Sequence, residues 1–148
     1  MKRITIIANP MAGANAFDSA VSSVRAARRN SSTQRRTLAA ATRYFRSHGF
    51  AVELDLETDP RAVEERAFEA ARDGASTLMS TLVAAGGDGT VNAVVNGMMR
   101  ARQFSGASPA LGVLPLGTGN VFAFNLGIPR EWRAACRLIR TGSTRIID

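Results

Sequence analysis

The chain has 148 residues, a formal net charge of +7 and 45% hydrophobic side chains, enough apolar material for one folded domain and too much for intrinsic disorder. A single cysteine, Cys136, excludes an internal disulfide framework and a multi-cysteine zinc site, and no apolar run approaches the ~20 residues that cross a bilayer. Residues 1–50 carry nine basic side chains against one acid, Asp18, residues 51–90 three against nine, and residues 91–148 seven against two; a basic face suits anionic partners, yet a bare charge excess is ordinarily a solvated surface, and nucleic acid is not expected as a partner.

The opening Met1-Lys2-Arg3 and apolar residues 4–8 imitate a signal peptide, with Ala14-Asn15-Ala16 as a mock cleavage site. The apolar stretch ends after about five residues at Asn9-Pro10, short of the 7–15 such a segment needs, so Arg3–Ala8 is expected to be a buried first strand of a cytoplasmic protein. Phe17, Ala20, Val21 and Val24 follow helical spacing, and Leu38, Ala41 and Phe45 repeat it before Gly49. The polar Arg28-Arg29-Asn30-Ser31-Ser32-Thr33 between them predicts an exposed linker. This region carries Arg25, Arg28, Arg29, Arg35 and Arg36 but, with Phe17 alone, lacks the set of large aromatic side chains that would anchor an interfacial helix, which favours a solvated helical hairpin over a basic arm for anionic lipid.

Residues 50–56 alternate apolar and charged, with Val52, Leu54 and Leu56 on one face, as in a half-buried strand near a sheet edge. Asp59-Pro60 supplies an N-cap and a proline at the first helical position; Val63, Ala67, Ala70 and Ala71 form the buried stripe, and Gly74 the stop. Residues 78–85 lack charge, as a central strand covered on both faces does. Val91, Val94, Val95 and Met98 mark the next helix, residues 111–114 a fourth strand, and Trp132, Ala135, Cys136 and Ile139 a further helix. Residues 144–147 are expected to begin another strand. Elements alternating in this way predict a single α/β domain over residues 1–148, with a mainly parallel sheet between two helix layers. His48 suits a helix end, Cys136 the core, and Arg133, Arg137 and Arg140 a solvated helix face.

Residues 78–98 read strand, then Gly86-Gly87-Asp88-Gly89-Thr90, then helix. Three glycines in four positions let backbone approach a ligand closely, and amides at a helix start form a ready site for phosphate oxygens. A carboxylate among those amides repels a naked polyphosphate, so Asp88 makes sense where a divalent cation intervenes. Asn9-Pro10-Met11-Ala12-Gly13 and Pro115-Leu116-Gly117-Thr118-Gly119-Asn120 follow two other strands, which puts turn chemistry at the carboxyl ends of three strands, where open parallel sheets bind ligands.

These residues resemble the N-terminal domain of the diacylglycerol kinase catalytic family, which includes bacterial lipid kinases and sphingosine and ceramide kinases. Asn9-Pro10 to Gly13 is similar to its first-strand loop, Gly86 to Asn92 to its GGDGTxN signature, residues 114–120 to its PLGTGN signature, and Leu126-Gly127-Ile128-Pro129 to the segment that follows. NAD kinases and 6-phosphofructokinases share the GGDG turn, and the fold implied is the three-layer α/β/α arrangement of all three. The resemblance implies an ATP site and magnesium-dependent transfer of the γ-phosphoryl group to a lipid hydroxyl of diacylglycerol type, carried out peripherally at the inner membrane surface. Carried over, the nucleotide-contacting positions are Asn9, Pro10, Met11, Ala12, Gly13, Thr58, Gly86, Gly87, Asp88, Gly89, Thr90, Val91, Asn92, Ala93, Gly117, Thr118, Gly119 and Asn120. Asp88 matches the acid near Mg²⁺ and the transferring phosphoryl group, reaching the metal through Mg-ATP; Thr58 is equally a helix-capping residue ahead of Pro60.

Relatives usually carry Glu, Asp and Arg where this sequence has Ala93, Val121 and Phe124. The family's β-rich C-terminal domain, which closes the cleft and supplies the general base, is expected to lie outside this chain. Two other readings stay open: a nucleotide-binding module with impaired catalysis, and a kinase acting on a soluble substrate such as NAD. A homodimer is also left open.

Overall fold

The computed structural model describes residues 2–11, 22–74 and 80–147, the side chains of 22–30 apart. Four short runs form one sheet of parallel strands: β1 (Arg3–Ala8), β2 (Ala51–Leu56), β3 (Ser80–Gly86) and β4 (Ala110–Pro115), in the order β2-β1-β3-β4. Register follows burial: Ile6 of β1 pairs with Leu54 on one side and Val83 on the other, and Ala85 of β3 pairs with Leu114. β1 and β3 lie inside the sheet and are apolar on both faces, while β2 closes one edge, as its alternation of apolar and charged residues requires.

Helices cover both faces. α1 (Ser22–Ser47) and α5 (Trp132–Thr141) set Leu38, Ala41, Phe45, Ala135 and Cys136 against Ile4, Ile6, Val83, Ala85 and Leu114. α2 (Pro60–Asp73) and α3 (Asp88–Ser105) set Val63, Ala67, Val94 and Ala101 against Ile7, Leu82, Ala84 and Val113. The expected three layers are therefore present. Burial pushes the Cys136 thiol up to about 12, so this side chain is an inert part of the packing. The charged face of β2 is covered by α2 through Arg66, whose guanidinium reaches Asp55 at 2.9 Å, Glu53 at 2.6 Å and Glu69 at 3.2 Å. No helix among the described residues is long and apolar enough to cross a membrane.

Two expectations are corrected. The linker expected at residues 28–33 lies within α1, a continuous helix of 26 residues. Arg, Asn, Ser and Thr each cost a helix no more than ~0.7 kcal/mol, and the stretch contains neither Gly nor Pro; its polarity marks a solvated helix. Residues 144–147 form no strand, and Ile146 is 96% exposed, because no described strand lies beside them to complete a ladder. A short helix, α4 (Val121–Asn125), was not foreseen. The expectations placed on Ala12, Gly13, Phe17, Ala20 and Val21, on the side chains of Val24, Arg25, Arg28 and Arg29, and on residues 14–16, 78–79 and 148 fall outside the described residues.

Gly97 fixes how α2 and α3 cross. A Cβ there would overlap the Glu64 carbonyl oxygen and come within 2.7 Å of the Ala67 Cβ. Alanine in an open helix position gains up to ~1 kcal/mol over glycine, but here the obstacle is backbone and cannot swing aside. Gly97→Ala is therefore expected to lower stability by about 1–3 kcal/mol, seen as a reduced denaturant midpoint with an unchanged slope.

Candidate functional site

Parallel strands end at a common rim, and three of the four loops there carry the site. After β1, the Asn9 amide donates to the Ala85 carbonyl at 3.1 Å, and the Asn9 side chain accepts from the Met11 amide at 2.9 Å. After β3 the chain turns through Gly87, which begins α3 in extended backbone and brings no side chain to cap it. Of the opening amides, that of Thr90 donates to the Gly87 carbonyl at 3.1 Å, and the cap residue brings no side chain to the ones before it. After β4, the amides of Leu116 and Gly117 both donate to the Gly86 carbonyl, at 3.0 and 3.2 Å.

The two glycine turns thus form one unit. A Cβ on Gly117 would overlap the Gly87 Cα and lie 2.9 Å from Asn120 Oδ1, so only glycine permits the approach. Asn120, buried and left-handed at φ 54°, closes its turn by accepting from the Gly117 amide at 3.0 Å and donating to the Gly117 carbonyl at 2.6 Å. Behind it, the buried Gln34 of α1 donates from Nε2 to the Leu116 carbonyl at 2.9 Å. Sequence reasoning missed Gln34 because its partner lies 82 positions away.

Asp88 joins this unit to α4. Its Oδ1 accepts from the Phe122 amide at 2.9 Å and its Oδ2 from the Val121 amide at 3.0 Å. These backbone donors, Phe122 first and Val121 next, hold the carboxyl below its ordinary value. Asp88 is therefore an ionised group whose orientation is set by backbone. A carboxylate offers about four acceptor positions, so the two amides leave it room for a further ligand.

A cleft of about 550 Å³ opens beside these turns. It brings together Asn9, Gly87, Asp88, Gly89, Thr90, Asn92, Ala93, Gly117, Thr118 and Gly119 from the sequence-predicted set. Gly86 is buried beneath it, Val91 is 5% exposed in the core, and Asn120 acts as the brace. Pro10 is buried, Met11 and Thr58 are exposed, and none of the three lines the cleft. The cap of α2 is Asp59, which accepts from the Arg61 amide. The other wall was not foreseen: Pro60, Arg61, Val63 and Glu64 of α2, with Asn96 of α3. Asn96 is legible as one helical turn beyond Asn92, whereas the α2 residues enter only because Gly97 lets the two helices lie together. Val121 and Phe124 are 59% and 77% exposed.

Glycine turns without capping side chains, joined over a cleft of this size, fit the phosphates of a nucleotide. No group of three or more His, Cys, Asp or Glu side chains is gathered among the described residues. A magnesium ion would therefore share Asp88 with ligand oxygens rather than enter a cage built by protein. Since the folded-state pKa of Asp88 lies below its unfolded value of ~3.9, its contribution to stability is complete above that value and disappears as pH falls through the folded one. Wild type is expected to be more stable than Asp88→Ala at pH 7, with the gap closing below about pH 4 in acid-unfolding curves.

Residues 3–148 match the Diacylglycerol kinase catalytic domain family. The chain is 35% identical over 150 aligned residues to diacylglycerol kinase of Bacillus subtilis (strain 168), covering 100% of this chain and 41% of that protein. It is 34% identical over 117 residues to "Probable lipid kinase YegS" of Salmonella heidelberg (strain SL476), covering 79% and 37%. A crystal structure of a diacylglycerol kinase from Bacillus anthracis str. Sterne shares the fold with a TM-score of 0.61 at 24% identity, over 96% of this chain and 43% of that one. The chain thus spans about two fifths of the length of these relatives. It belongs to the diacylglycerol kinase catalytic domain family, a family of lipid kinases.

Proposed function

We propose that the cleft binds Mg-ATP by its polyphosphate, and that the chain is the nucleotide-binding part of a kinase that phosphorylates a lipid hydroxyl of diacylglycerol type. The observation that supports this most is the joining of the two glycine turns through the Gly86 carbonyl, which aligns backbone at the rim where the cleft opens. In this reading Gly87, Gly89, Thr118 and Gly119 receive the phosphates, and Asn9, Asn92 and Asn96 offer hydrogen bonds to the rest of the nucleotide. Mg-ATP, when bound, supplies the phosphoryl group with part of its charge already neutralised. Asp88, held ionised, faces the bound metal with its remaining acceptor positions.

In this reading Asp88 is committed to the metal, and Glu64 receives a hydrogen bond from Arg100 at 3.1 Å. We therefore assign the general base to a domain beyond the described residues. The lipid acceptor is taken to be presented at a membrane surface.

Titration calorimetry with Mg-ATP is expected to show saturable binding to this chain; no heat at millimolar ligand would remove the proposal. With labelled ATP and diacylglycerol vesicles, the protein as its gene encodes it is expected to phosphorylate the lipid, and Asp88→Ala to lower that turnover about a hundredfold or more. Phosphorylated NAD in a parallel assay would assign a soluble acceptor instead, and binding without turnover an impaired module.

A further inference from the structure

Three charged side chains line the described part of the cleft: Arg61, Glu64 and Asp88. The two acids already have partners, Arg100 for Glu64 and the α4 amides for Asp88. Arg61 is the sole cation of the three, and none of the ion pairs among the described residues includes it. On the same pair of helices Arg66 binds Glu53, Asp55 and Glu69, Arg72 binds Asp73, and Arg100 binds Glu64 and Glu65. Arg61 and Arg102 are in none of these ion pairs, and of the two it is Arg61 that lines the cleft. It occupies the second position of α2, where Pro60 and the Asp59 cap fix the backbone from which its side chain extends.

A cleft that holds two carboxylates repels a polyphosphate unless cationic charge answers it, and a guanidinium presents paired N–H groups that match phosphate oxygens. From these observations we infer that Arg61 is a nucleotide-binding residue that contacts the polyphosphate from the α2 wall, opposite the glycine turns, and sets preference for the number of phosphates. This rests on the reading of the cleft as a nucleotide site and names within it a residue outside the three strand-end loops. The role follows from charge and position and includes no bond-making step.

Calorimetry on the full 148-residue chain tests it, with ATP, ADP and AMP as separate ligands in excess magnesium, for wild type, Arg61→Ala and Arg61→Lys. Arg61→Ala is expected to weaken ATP about ten- to a hundredfold, ADP less and AMP hardly at all, with Arg61→Lys recovering part of the loss. Equal losses for all three nucleotides would show a merely structural role, and unchanged ATP affinity would show none; either overturns the inference while leaving the nucleotide site intact. Failure of the wild type to bind any of the three would remove the nucleotide site and this inference with it. Arg61 is exposed, and matching thermal melts will confirm that the variants fold.

Discussion

One carbonyl group organises the rim of this molecule. The oxygen of Gly86 accepts from two successive amides, those of Leu116 and Gly117, so the turn after β3 and the turn after β4 cannot move independently. The approach is close enough that a side chain on Gly117 would overlap the Gly87 backbone. Everything described in the cleft depends on this contact: the direction of the α3 amides, the left-handed brace at Asn120, and the distance at which Asp88 meets the amides of α4. Gln34, donating to the Leu116 carbonyl from α1, ties the same unit to the opposite helix layer. Backbone, more than side-chain chemistry, shapes the site.

Local signals were legible wherever the cause was local. β1 occupies Arg3–Ala8 because a β-branched apolar run meets Asn9-Pro10, and α2 begins at Pro60 because Asp59 caps it. β2 lies at an edge, as its alternation indicates. The glycine turns could be read from residue type alone, since only glycine tolerates such an approach. Residues 28–33 misled because polarity was taken for a break; with no proline or glycine present, the helix continues through them.

What remained illegible was nonlocal. α4 has only five residues, and the group that caps it, Asp88, lies 33 or 34 positions away. Nothing in the local sequence from Val121 to Asn125 announces that contact. Arg61 and Glu64 join the cleft because α2 lies against α3 over Gly97, a packing relation that no single segment contains. A strand at 144–147 needs a neighbour to pair with, and its apolar residues alone could not show whether one is present. The sequence pattern therefore located one wall of the cleft, and three-dimensional packing supplied the other.

The length of α1 has its own consequence. The β-strands contain six or seven residues, ~20–24 Å at ~3.3–3.4 Å each, whereas 26 helical residues extend ~39 Å. Gln34 marks the level of the rim by its bond to Leu116, and residues 22–33 continue the same helix by ~18 Å of axial rise. α1 is thus a mast overtopping the strand ends on the face opposite α2 and α3. The bond at Gln34 is the point at which this long helix is tied to the turn that Leu116 opens.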